Sequence, residues 1–133
     1  MDDDQDRAFK RLYDASMMMI RSYDLIADLL EALPLSIMIP RFADPEDWES
    51  RDALPAIIQA RKAAGDEPVS HELRALVDRM LLDWLTCYEM GCLCDMAGPA
   101  PWRTDAMVAA TLRVTVTLNR AAVQLVRESG EEQ

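Results

Sequence analysis

Two stretches of the chain place mostly apolar residues at alternating spacings of three and four. The first stretch runs from Phe9 to Leu33, and the second runs from Leu73 to Cys94. Such spacing keeps one stripe of a helix facing a neighbour at a shallow crossing angle, as in helical bundles. The pattern therefore predicts an all-α fold.

Proline and glycine positions divide the first half of the chain into two helices. The first predicted helix covers about residues 6 to 33 and is ended by Pro34. Asp44-Pro45 is a typical helix start, and Gly65 is predicted to cap the end of this shorter second helix. Because the residue before a proline avoids helical geometry, we expect the second helix to kink or restart near Pro55.

Two longer helices are predicted in the second half of the chain. Ser70 is expected to cap a third helix that runs to about Met96. After the break at 98–101, a fourth helix starts at Thr104 or Asp105 and ends near Glu128. We therefore predict one domain over residues 1–133, a mostly antiparallel four-helix bundle with acidic tails at 1–5 and 129–133.

The formal charge of the 133-residue chain is −10, and 12 of its 24 acidic residues lie in three clusters. The clusters fall at residues 2–6, 44–52 and 128–132. Because an acidic chain repels phosphate backbones, we do not expect it to bind nucleic acid directly. The clusters leave one alternative function open, that of an acidic chaperone or inhibitor that mimics a polyanion.

Composition also predicts where the protein acts. No run of 18 apolar residues is present, and the start Met-Asp-Asp-Asp differs from a basic, apolar leader. We therefore expect neither a membrane segment nor a signal peptide. The three cysteines are predicted to be reduced thiols in a cytoplasm, and the 12 arginines against 2 lysines indicate a GC-rich bacterial genome.

The first helix carries apolar residues outside its predicted core stripe. Met17, Met18 and Leu25 point away from that stripe, and Met18 and Leu25 are seven residues apart on one line. Either the segment 35–39 or the second helix covers them, or they form a surface for a partner or a second copy. We predict a surface of this second kind, with a homodimer as the favoured assembly.

Charge and aromatic residues suggest further parts of such a surface. Arg113, Arg120 and Arg127 repeat every seven residues on the fourth helix, in a stretch without acids from 106 to 126. Phe42 and Trp48 accompany the acidic segment 44–52 and are predicted to present aromatic anchors ringed by charge. The arginine row is either a solvated face or a docking site for an acidic segment of the same or another chain.

The residues that usually carry catalysis or bind metals do not form a recognisable site. Cys87 and Cys94 lie about 10.5 Å apart along a continuous helix, which is too far to share one zinc ion. Cys92 would point to nearly the opposite side from Cys94. No glycine-rich phosphate loop is present, so we expect neither a cofactor, nor a metal, nor an enzyme activity.

His71 is the only histidine and stands in the string Ser70-His71-Glu72-Leu73-Arg74. These five residues resemble the phosphoacceptor box of sensor histidine kinases, in which the histidine sits on a bundle helix. The following Ala75-Leu76 lacks the proline usual in that family. The resemblance implies an alternative function, a histidine phosphotransfer module with His71 as the phosphoacceptor.

Taken together, the patterns favour a non-catalytic protein–protein interaction module over the two alternatives. The surplus of apolar residues on the first helix and the segregated charges both suit contact with another protein chain. The predicted role is a small bacterial regulator, antiactivator or adaptor.

Overall fold

The computed structural model describes residues 3–42 and 50–131 and shows four helices, without a strand in those ranges. The helices are α1 (Asp3–Ala32), α2 (Ser50–Ala64), α3 (His71–Ala97) and α4 (Pro101–Glu131). Their packing confirms the predicted all-α bundle. α1 and α4 extend further than predicted, into the segments expected to be acidic tails.

α3 lies at the centre and runs antiparallel to the other three helices. Trp84 hydrogen-bonds to Met19 of α1, while Leu35 after α1 reaches Glu67 before α3, so α1 and α3 run in opposite directions. Arg61 of α2 pairs with Asp78 of α3, and Arg113 of α4 pairs with Asp83 of α3. Because short connections join α3 to α2 and to α4, these pairs make both helices antiparallel to α3. α1 and α4 are therefore parallel neighbours.

The core is built around aromatic rings at the level of the middle of α3. The centroids of the Tyr23 and Trp84 rings are 5.8 Å apart, and both side chains are fully buried. Trp84 donates its indole N–H to the Met19 carbonyl at 3.2 Å. Tyr23 donates its hydroxyl to the Pro40 carbonyl at 2.7 Å. Both polar atoms are thus satisfied inside an apolar core.

Most of the predicted core stripes are buried, with one clear exception. The confirmed positions are Met19, Tyr23, Ile26, Leu30, Leu33, Leu73, Val77, Met80, Trp84, Cys87 and Cys94. Phe9 is 48% exposed, so its assignment to the core is wrong. Arg11 pairs with Asp105 in the first turns of α4, so Phe9 lies near the end of the bundle where α3 ends and α4 begins.

The segment after α1 turns back along the helix. Ser36 adopts a left-handed conformation with φ 49°, and Ile37 donates its N–H to the Leu30 carbonyl at 2.9 Å. Ile39 is buried, and Pro40 lies level with Tyr23. The segment thus covers the Tyr23 side of α1 and leaves Leu25 48% exposed.

The structure differs from the prediction at Pro55 and at Gly65, and it agrees with the prediction at Ser70. α2 runs without interruption through Pro55, while its predicted start at Asp44 lies outside the described residues. Gly65 follows the last residue of α2, but its φ is not in the left-handed region that such caps use. Ser70 is confirmed as the N-cap of α3, because its hydroxyl accepts the Leu73 N–H at 3.0 Å.

Two carboxylates hold the loops at the end of the bundle where α3 begins. Glu67 is only 2% exposed, and it accepts the backbone N–H of Leu35 at 3.0 Å. Glu128 of α4 accepts both the backbone N–H and the hydroxyl of Ser70 at 2.7 Å. Burial raises the pKa of Glu128, but these hydrogen bonds outweigh it and hold the pKa below its ordinary value. Glu128, which belongs to the acidic cluster at 128–132, therefore has a structural role.

Tyr23 provides a test of this packing. Burial, followed by the charge of Asp24, raises the pKa of Tyr23 to about 12. Because its unfolded pKa is near 10, the neutral hydroxyl stabilises the fold at neutral pH, and this contribution is lost as pH rises from about 10 to about 12. We expect Tyr23→Phe to lower the free energy of unfolding by about 1 kcal/mol at pH 7 through the lost hydrogen bond.

We also expect the stability of Tyr23→Phe to fall less steeply than that of the wild type between pH 10 and pH 12. Urea unfolding followed by circular dichroism measures both effects. Tyr13→Phe, at an exposed position, is the matched control and should follow the wild-type pH profile. Equal pH profiles for wild type and Tyr23→Phe would show that the hydroxyl is not buried.

Candidate protein interface

α4 carries apolar residues on two opposite faces. Its inner face buries Met107, Ala110, Val114, Ala121 and Leu125 against the bundle. Its outer face exposes Leu112 by 54%, Val116 by 60%, Val123 by 52% and Val126 by 72%. With Asn119, these outer residues repeat at spacings of four and three, the pattern of a seam that packs against another helix. We call the five residues the outer stripe.

The outer stripe continues towards the predicted surface of α1. Arg11, Met18 and Leu25 are spaced by seven, as are Asp105, Leu112 and Asn119. Because Arg11 pairs with Asp105 and the two helices are parallel, Met18 falls at the level of Leu112 and Leu25 at that of Asn119. Met17 and Met18 are half-buried, whereas Leu25 is exposed.

The arginine row borders the outer stripe on the side of α3. Arg113, Arg120 and Arg127 each follow one position after a stripe residue, and all three are exposed. Arg113 lies 3.5 Å from an oxygen of Asp83. Within the described part of the chain, Arg120 and Arg127 form no ion pair. Among the described residues, the row therefore presents two cations without an ion pair, on a chain with a net charge of −10.

Two shallow grooves run between α3 and α4 alongside the arginine row. One groove of about 300 Å³ is lined by Arg79, Asp83, Leu112, Arg113, Val116, Thr117 and Arg120. The other, of about 380 Å³, is lined by Glu72, Leu76, Asn119, Arg120, Val123, Gln124 and Arg127. Arg120 belongs to both, so the grooves form one surface with an apolar floor and mostly positive walls.

Asp83 adds one polar feature to the floor of this surface. Its Oδ1 is the atom that faces Arg113, while its Oδ2 is buried without a hydrogen-bond partner among the described residues. Since the guanidinium of Arg113 is already partly neutralised by Asp83, Arg120 and Arg127 are the more available charges of the row.

The predicted aromatic anchors do not form a site in the described residues. Phe42 is half-buried, and the centroid of its ring lies 5.7 Å from that of Tyr23. It therefore packs on the core instead of standing free as an anchor. Trp48 and the acidic residues 44–49 lie outside the described residues.

His71 and the cysteines are the residues that the sequence offers for phosphotransfer and for metal binding. His71 is the first residue of α3 and is exposed. Cys87 and Cys94 are buried, and burial raises the pKa of both thiols. The Cys87 sulfur lies 3.0 Å from the Thr111 hydroxyl. In residues 3–42 and 50–131, no three His, Cys, Asp or Glu side chains are grouped so that they could hold a metal.

Comparison of the chain with family models, with curated proteins and with solved structures gives no significant match. Nor is any helix in the described ranges long and apolar enough to cross a membrane.

The sequence pattern of α4 contained a signal that the prediction did not use. The residues one position before each arginine of the row also lie along one line of the helix. Those are Leu112, Asn119 and Val126, and Val116 and Val123 complete the heptad pattern between them. Because the inner face of α4 has the same spacing, only the structure distinguishes the two faces.

Substitution of two valines on α4 tests which face of the helix is exposed to solvent. Val116 is exposed and Val114 is 1% exposed, although they are two residues apart in the same helix. Threonine has the shape of valine and is also β-branched, so it changes helix propensity little. We expect Val116→Thr to change the free energy of unfolding by less than about 0.5 kcal/mol, and Val114→Thr to lower it by about 1 to 3 kcal/mol.

Urea unfolding of the two variants in one buffer measures this difference. Equal losses of stability at both positions would mean that the outer stripe is covered within the protein itself.

Proposed function

We propose that this protein is a non-catalytic protein-interaction module that binds a second protein chain along α4. The single observation that carries the proposal is the outer stripe. Its four apolar side chains are each more than half exposed and share one helix face. A helix on the surface of a bundle normally directs polar residues outwards.

Exposure of this apolar face to water has a cost in free energy. A contiguous apolar patch on a folded protein raises its free energy in solution, and a second apolar surface placed on it releases the bound water. A seam with alternating spacings of three and four is the shape that a partner helix fits, since its side chains insert between those of α4. Met18 and Leu25 on α1 widen the same surface.

Other features of the chain support a regulatory or adaptor role. Cys87 and Cys94 are small buried thiols with raised pKa values, as expected of packing residues. We infer a bacterial origin from the excess of arginine over lysine, and a cytoplasmic location from the three cysteines, read as reduced thiols. Phosphotransfer through His71 and mimicry of a polyanion stay as the alternatives that the sequence suggested, and no contact among the described residues favours them.

Photo-crosslinking in cells tests the proposal. A photoreactive phenylalanine analogue replaces Val116 in one variant and Val123 in another. Lys62, an exposed residue of α2, is replaced in the control. We expect both stripe variants to form one discrete adduct on irradiation, and the control to form none of the same mass.

The mass of the adduct identifies the kind of partner. An adduct of about twice the chain mass shows the predicted homodimer, and any other mass shows a different protein. Either result supports an interaction module. The absence of adducts from both stripe positions, with a monomer in light scattering, would contradict it.

A further inference from the structure

We infer that the partner seated on α4 is an acidic amphipathic helix of another protein and not the α4 helix of a second copy of this chain. This inference rests on the proposed function and names the partner of the same surface. Two observations carry it: the geometry of the outer stripe and the position of the arginine row beside it.

The outer stripe fixes the length and pattern of the partner. From Leu112 to Val126 the helix rises about 21 Å, at 1.5 Å per residue. A partner helix of about four turns matches this length. It must supply apolar residues at spacings of three and four, with a polar residue opposite Asn119, because an asparagine in such a seam prefers a hydrogen-bonding partner and fixes the register.

The arginine row fixes the charge of the partner. Residues that flank a helical seam face the flanking residues of the helix packed on it, where opposite charges select the partner. Arg113, Arg120 and Arg127 all lie on one flank, and Arg79 of α3 lines the same groove. Carboxylates along one side of the partner helix would face this row, and a guanidinium can bind a carboxylate through two parallel hydrogen bonds.

A second copy does not provide those carboxylates through its own α4. That helix has no acidic residue from 106 to 126, so an α4–α4 pair would leave both arginine rows without counter-charges. The other flank of the outer stripe is neutral and contains Val108, Thr115 and Ala122. The exposed face of α1 mixes acids with Lys10 and Arg21, and its Asp28 is already paired with Arg41.

A charge-exchange experiment on the purified protein tests the inference. The probes are two labelled 18-residue helical peptides with leucine at the seam positions and one asparagine. One peptide has glutamate at every flanking position, and the other has lysine there. Fluorescence anisotropy at 50 mM and 500 mM NaCl gives their dissociation constants with the wild type, with two charge-reversal variants and with one variant of the outer stripe.

The two variants carry the same net charge and differ in where the charge is reversed. The first combines Arg120→Glu and Arg127→Glu, which removes the two cations of the row that form no ion pair with another described residue. The control combines Arg21→Glu and Lys62→Glu, at exposed positions on α1 and α2. Circular dichroism shows that each variant is folded before binding is measured.

We expect the wild type to bind the glutamate peptide at least about tenfold more tightly than the lysine peptide at low salt, with a smaller difference at high salt. The first variant should invert this preference, and the control should keep it. A Val116→Asp variant should weaken both peptides, since it disrupts the apolar floor that they share.

Three results would overturn the inference. In the first, both peptides bind equally and the preference does not invert in the Arg120 and Arg127 variant. In the second, neither peptide binds the wild type. In the third, the adduct formed at Val116 is a dimer of the chain, which would leave the proposed interaction module standing with a different partner. Absence of every adduct would instead contradict the proposed function as well.

Discussion

The structure depends on one constraint: α4 has two apolar faces, and the bundle can cover only one of them. α3 occupies the centre, and the three helices around it run in the opposite direction. α4 packs on α3 and α1 through Met107, Val114 and Ala121, which are fully or almost fully buried. No element in the described ranges lies over its other face, so Val116 and Val123 stand in water. The described part of the chain therefore carries the energetic cost of an exposed apolar seam, which binding of a second chain would relieve under the proposed function.

The polar contacts hold the described segment after α1 away from this face. The segment turns at Ser36 and runs along the Tyr23 side of α1. Glu67 fixes the start of that segment, and Glu128 fixes the start of α3 to the end of α4. These carboxylates close the end of the bundle where α3 begins. The described residues leave the outer face of α4 accessible, with the arginine row at its edge.

Much of the fold could be predicted from the sequence because helices in a bundle obey local rules. The heptad spacing of α3 identified its buried residues, and Ser70 was recognised as a cap from the residue type alone. The exposure of Phe9 could not be predicted in this way, since it depends on where α4 begins relative to α1. The inward position of Phe42 depends on the path of the segment after α1. The outer stripe was missed for a related reason: spacing reveals that α4 has apolar faces, but only packing shows which one is free.

The central claim is that the outer stripe is open in the free protein and covered in its complex. Methyl NMR spectra of valine-labelled protein, recorded with a soluble gadolinium chelate, measure this directly. The account predicts strong broadening of the Val116, Val123 and Val126 methyl signals in the free protein, with Val77 and Val114 nearly unaffected. Addition of the acidic helix should protect the three stripe valines. Equal broadening of stripe and core valines, or stripe valines that are already protected in the free monomer, would contradict the account.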